Sequence, residues 1–159
     1  MARINLSFSA QVDAWVKEVK TRELAVFRGS AQRVIAEMQT PAGDGGRMPV
    51  DTGFLRASLQ MTLNAPATGP LQKPLKGSGR LGTGQFDFRF DHAELGDMIY
   101  ATYGAAYARR LEYGFVGQDS LGRTYNQVGK AFVRSAAQKW GQIVAQVSTE
   151  LKARVNGQS

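Results

Sequence analysis

Two stretches of this chain spell motifs that elsewhere perform chemistry. Asp51-Thr52-Gly53, inside "PVDTGFLRASL" (49–59), is the triplet that carries the catalytic carboxylate of aspartic proteases. Those enzymes need two carboxylates sharing one proton, so a lone triplet requires a second copy in the chain or a homodimer with the triplets at its two-fold axis. The chain has no second copy. A dimeric protease protomer is almost wholly β, whereas this triplet stands between a helical pattern and a strand pattern. Its expected role is structural: Asp51 or Thr52 caps the following turn with a side-chain oxygen, and Gly53 relaxes the backbone. "GSGRLG" (77–82) matches the dinucleotide pattern G-x-G-x-x-G. That pattern holds a pyrophosphate only when a buried strand precedes it and a helix follows, and "PLQKPLK" and "TGQFDF" supply neither.

The remaining candidates are weaker. His92, the single histidine, stands in "DHAEL" with Asp91 and Glu94. One imidazole and no cysteine make a poor metal set, so the expected setting is a surface turn. "FDFRF" alternates aromatic and basic residues loosely, as a base-stacking platform does, but three Phe on one strand face are expected in a core. No Ser/His/Asp arrangement, phosphate loop or carboxylate pair emerges. The expectation is a protein that is not an enzyme and takes no cofactor or metal.

The elements that must position these residues follow from periodicity. From 10 to 39, Val12, Trp15, Val16, Val19, Val26, Phe27, Ala31, Val34, Ile35 and Met38 recur at three- and four-residue steps, predicting a long amphipathic helix. Ser9 is the expected N-cap, Pro41 and Gly43 the stop, and Gly29-Ser30 a possible bend. "TPAGDGGRMP" (40–49) is turn chemistry. "ASLQMTLN" (57–64) alternates as a half-buried strand, "QFDFRFD" (85–91) resumes the alternation, and "LGDMIYATYG" (95–104) is a third strand. Residues 105–114 are a strand or a helical turn. Residues 65–84, with three prolines and five glycines, predict a long mobile loop, and 117–129 a polar loop. Residues 130–155 carry a second helical stripe. The sum is one α+β domain over 1–159: a small antiparallel sheet of about four strands packed by a long N-terminal and a long C-terminal helix.

Composition narrows the class. A chain of 159 residues has room for one real core, and the absence of cysteine excludes disulfide scaffolds and thiolate metal sites. No signal peptide or membrane-spanning run is expected. The net charge of +7 suits a protein that works near phosphate or acidic surfaces, although the basic residues are scattered.

Three blocks, in order, resemble the neck and tail-component family of long-tailed bacteriophages, also called tail-completion or head-tail joining proteins. "PVDTGFLRASL", with Pro49, Asp51, Thr52, Gly53, Leu55 and Arg56, is similar to that family's Pro-Val-Asp-Thr-Gly-x-Leu-Arg-x-Ser segment. "YARRLEYG" (107–114), with Tyr107, Glu112, Tyr113 and Gly114, resembles its Tyr-Ala-x-x-x-Glu-aromatic-Gly segment. "KAFVRSAAQKW" (130–140), with Phe132 and Arg134, resembles its Pro-Phe-Leu-Arg-Pro-Ala segment, but Ala131 and Ser135 stand where prolines are usual. Residues 65–84 and 117–129 look like insertions.

The resemblance implies a virion structural protein at the head-tail junction, assembled in the host cytoplasm as a homo-oligomeric ring, a hexamer, with no membrane partner. Its implied partners are the tail tube, the head-tail connector and the genomic DNA passing through the lumen. Asp51-Thr52-Gly53 then becomes a turn that launches a strand, with Arg56 and Glu112 forming a structural pair. Lys73, Lys76 and Arg80 of the 65–84 loop would face DNA or acidic protein surfaces. The alternative is a free-standing basic DNA-binding protein.

Overall fold

The computed structural model describes residues 7–69 and 90–157. Its first element, α1 (Phe8–Gln39), is 32 residues long. Ser7 is its N-cap, accepting from the Ala10 N–H at 3.4 Å, so the cap lies two residues before the expected Ser9, which is inside the first turn. Thr40 closes the helix ahead of Pro41, as the stop signals predict. Gly29 and Ser30 do not interrupt it. Their small size serves packing instead: Ser30 is buried, and a Cβ on Gly29 would lie 3.1 Å from Val147 Cγ1.

After a 3-10 turn at Ala42–Asp44 comes α2 (Phe54–Ala57). Asp51-Thr52-Gly53 therefore launches a short helix first, and the strand β1 (Leu59–Leu63) only after it. β1 pairs antiparallel with β2 (Ile99–Tyr103), Met61 lying opposite Ala101. Residues 65–69 have no regular structure. The strand expected at 85–91 lies mostly outside the described residues, and at its described end Phe90 and Asp91 are not in a strand.

The ambiguous stretch 105–114 resolves as α3 (Ala108–Tyr113). The expected polar loop at 117–129 is a correction: β3 (Gly114–Gln118) and β4 (Thr124–Val128) form an antiparallel hairpin there. The turn residues are confined to its tip, where Gly122 has φ 74°. The final helical stripe divides into α4 (Phe132–Gln138) and α5 (Trp140–Asn156), parted at Lys139.

The fold class is the expected one, with four antiparallel strands and two long flanking helices among the described residues. The strands pair as two ladders, β1-β2 and β3-β4. α1 packs on α4 and α5. Lys139 pairs with Glu37, and Val147 reaches Gly29, so α5 runs antiparallel to α1. Arg33 and Glu150 form a further ion pair between the two helices. A core of Met48, Phe54, Leu55, Ala105, Ala108 and Phe132, with Tyr103, Tyr107 and Leu111 against it, lies where the loop before α2 meets α3 and α4. Among the described residues no helix is long and apolar enough to cross a membrane.

Candidate functional site

Leu55, Tyr107 and Phe132, one residue from each motif block, meet in that core. Gly53 has φ 83°, a left-handed conformation that a side chain would strain, and it turns the chain into α2. Thr52 Oγ1 accepts a long 3.4 Å hydrogen bond from the Phe54 N–H, so of the two expected capping residues Thr52 is the one that does so. Asp51 is exposed on the turn. Burial pushes the Tyr107 phenol above its ordinary pKa, and the negative charge of Asp51 adds to the effect. Phe54 and Leu55 then enter the core, and the Phe54 ring centroid lies 6.3 Å from that of Tyr107. Pro49 is part of the approach to this turn, beside the parallel bridge between Pro41 and Met48.

Glu112 joins the second block to the third. Its side chain is buried, 5% exposed, and its two carboxylate oxygens each accept a 2.9 Å bond, one from the Val133 N–H and one from the Arg134 N–H. These amides belong to the first turn of α4, where N–H groups have no helical partner and a negative charge is favoured. The backbone repeats the join: the Lys130 N–H donates to Leu111 O at 2.7 Å and the Ala131 N–H to Glu112 O at 3.0 Å. Ala131 adopts φ 53°, a left-handed conformation closed to proline, whose ring fixes φ at about −65°. Phe132 drives its ring into the core against Tyr103, edge to face at 5.3 Å. Burial raises the Tyr103 phenol far above its ordinary pKa, with the charge of Arg56 opposing and that of Glu112 reinforcing the rise. Arg56 and Glu112 thus act electrostatically on one buried hydroxyl.

The same block anchors the hairpin. Gly114 has φ 88°, and a Cβ there would meet Gln127 O at 2.6 Å and Gly129 N at 2.8 Å, so the two strands touch backbone to backbone at their base. Arg134 lies over the Tyr113 ring at 5.8 Å and Arg110 over Phe115 at 4.2 Å. At the tip, Asp119 accepts from the Leu121 and Arg123 N–H groups at 2.9 and 3.0 Å, from Arg123 Nε at 2.7 Å and from the Tyr125 hydroxyl at 3.1 Å. Desolvation raises its pKa, but the bonds from Arg123, Leu121 and Tyr125 outweigh this and hold the carboxyl down at about 2.

The projecting surface is apolar in places that sequence reasoning missed. Val116, Leu121 and Val128 are exposed along the hairpin, Tyr113 at the end of α3 before it, and Phe8 and Trp15 along the first half of α1. The β-branched and aromatic residues Phe115, Val116, Thr124 and Tyr125 on either side of "DSLG" were the available signal for the hairpin.

His92 stands on an exposed turn after Asp91. Among the described residues no group of three His, Cys, Asp or Glu could hold a metal ion. Lys73, Lys76, Arg80 and the "GSGRLG" pattern lie outside the described residues. In comparisons with known proteins, no family model matches the chain, and neither a curated protein nor a solved structure matches it.

Proposed function

We propose that the chain is a structural protein of a tailed-bacteriophage virion that assembles with copies of itself into a hexameric ring at the head-tail junction, completing the tail and joining it to the head connector. The observation that carries this reading is the meeting of its three motif blocks. They are far apart in sequence, yet Phe54 and Leu55, Ala108 and Glu112, and Phe132 share one buried junction. The resemblance to the neck and tail-component family rests on these same blocks, and their roles are conformational: a turn, a cap and a packed ring. Around the junction, the α1 arm and the hairpin hold apolar side chains in solvent, which is the condition of a subunit that works through contacts. The +7 charge, repeated round a ring, suits a lumen that DNA traverses.

Negative-stain images of the purified chain should show rings, and tails assembled without it should lack the head-proximal layer. A chain that stays monomeric with tail fractions present, and whose loss leaves tails complete, would refute the proposal.

The +7 charge also favours a second reading, a free-standing DNA-binding protein. Phosphate neutralisation would make duplex affinity fall steeply with salt, whereas apolar ring contacts would persist. A salt titration with duplex DNA beside a sedimentation series separates the two.

A further inference from the structure

α1 outruns the body that it packs on. From Phe8 to Glu23 every residue except Ala10 and Val19 is exposed, a projecting arm of about 24 Å at 1.5 Å per residue. Phe8 is 83% and Trp15 64% exposed, and with Val12 and Val16 they form an apolar stripe at three- and four-residue spacing. The arm carries Asp13, Glu18 and Glu23 against Lys17, Lys20 and Arg22, so it is formally neutral in a chain of net charge +7. A helix built to lie on anionic lipid or on nucleic acid would concentrate basic residues on its polar face, and this one does not.

The body end of α1 offers the complementary shape. A groove of about 310 Å³ runs between α1, β2 and the start of α5, walled by Phe27, Val34, Met98, Ile99, Ala101 and Trp140. Met98 is 58% exposed at its rim, and Trp140 is also exposed. Among the described residues Asp97 is the one charged group of the lining, and its carboxylate already accepts from Asn64 Nδ2 at 2.9 Å and the Glu94 N–H at 2.8 Å. The groove therefore has almost nothing polar with which to orient a small ligand.

We infer that the arm of one copy of this chain lies in the α1-β2-α5 groove of the next, with Trp15 as the principal inserted side chain. This rests on the self-assembly reading and names the contact through which it occurs. Phe27 and Val34, which wall the groove, belong to the same unbroken helix as the arm, so the arm cannot fold back into its own groove without breaking α1. A second copy satisfies both surfaces at once. Each molecule gives an arm to one neighbour and receives an arm from the other, a head-to-tail arrangement that closes into a ring when the rotation permits. Phe8 and Trp15 together would remove roughly 300 Å² of surface from water. That is a substantial share of the ~800 Å² that each partner contributes to a stable interface, leaving Val12, Val16 and the rest of the arm to supply the remainder.

The chain has no cysteine, which permits a clean test on the full-length protein. Val12→Cys or Val16→Cys in one preparation and Met98→Cys in another are mixed and oxidised, and the products are separated on non-reducing gels. Disulfides between arm and groove variants should dominate. In parallel, Trp15→Glu should keep the melting temperature of the dissociated wild-type chain while weakening self-association at least about thirtyfold by sedimentation, the range of a buried tryptophan hot spot. Three results would overturn the contact while leaving the ring reading intact: self-association unchanged by Trp15→Glu, arm-to-arm disulfides in place of arm-to-groove ones, or anionic-vesicle binding that Trp15→Glu abolishes. A wild-type chain that neither associates nor cross-links would overturn both.

Discussion

Phe132 and Trp15 are both large aromatic residues on helices, and they have opposite surroundings. Phe132 is 2% exposed, wedged between α2, α3 and β2 beside a buried carboxylate. Trp15 stands in solvent on a helix whose neighbouring turns are equally bare. The junction obeys the rules of a folded interior: apolar groups touch, Glu112 has its hydrogen-bond partners, and glycine is found where the chain needs it. The arm breaks the first of those rules while keeping its helix intact. One region consumes its hydrophobic surface in folding, and the other leaves it uncommitted.

The largest effects are expected on the buried side. Phe132→Ala should destabilise the chain by ~3–5 kcal/mol, the range for deleting a buried aromatic ring, and chemical denaturation should register it as a large drop in midpoint. Glu112→Ala removes the acceptor from two α4 amides, and a loss of about 2–3 kcal/mol is expected. If denaturation shows less than ~0.5 kcal/mol, the carboxylate is no keystone. Gly114→Ala places a Cβ against Gln127 O in a left-handed backbone and should cost roughly 1–3 kcal/mol, with hydrogen-exchange protection lost first in the hairpin.

A finer distinction comes from acid. The Asp119 carboxyl is held at about 2, below its ordinary 3.8, so its support of the hairpin tip is complete above pH 3.8 and is lost as the pH falls through 2. Amide exchange at Leu121 and Arg123 should accelerate over that window while the Phe132 junction stays protected. The smallest effect should come from the arm: Trp15→Ala is expected to change folding stability by less than ~0.5 kcal/mol in the dissociated chain. A larger loss would mean that the arm contributes to the fold and is not spare surface.

Legibility follows the same division. The two helical stripes were readable because Ile35, Met38, Ile143 and Val147 repeat at helical steps and really are buried. Periodicity could not say that Trp15, counted in the first stripe, faces solvent, because a sequence records which residues recur at helical steps and not where the neighbouring elements stop. The hairpin was hidden for a related reason. Val116 and Val128 point outward while Gly117 and Gln127 occupy the half-buried face, so the usual alternation of apolar-in and polar-out is scrambled. α2 is four residues long, too short for any period to register. At the candidate site, Thr52 and Gly53 were readable as a turn because capping is local. The bond from the Val133 N–H to Glu112 spans 21 positions, and no spacing rule announces a contact that only the folded chain creates.

The continuity of α1 has a mechanical consequence. A single hydrogen-bonded rod of 32 residues joins the packed body to the free arm; Gly29 does not interrupt it, and no proline or coil stands between them. Whatever grips the far end cannot move independently of the near end, so a small tilt imposed at Trp15 is delivered as torque on Ile35 and Met38. The rod therefore fixes the angle between the body and anything that seizes its tip, as a lever fixed at its fulcrum does, and leaves little slack to absorb a misfit.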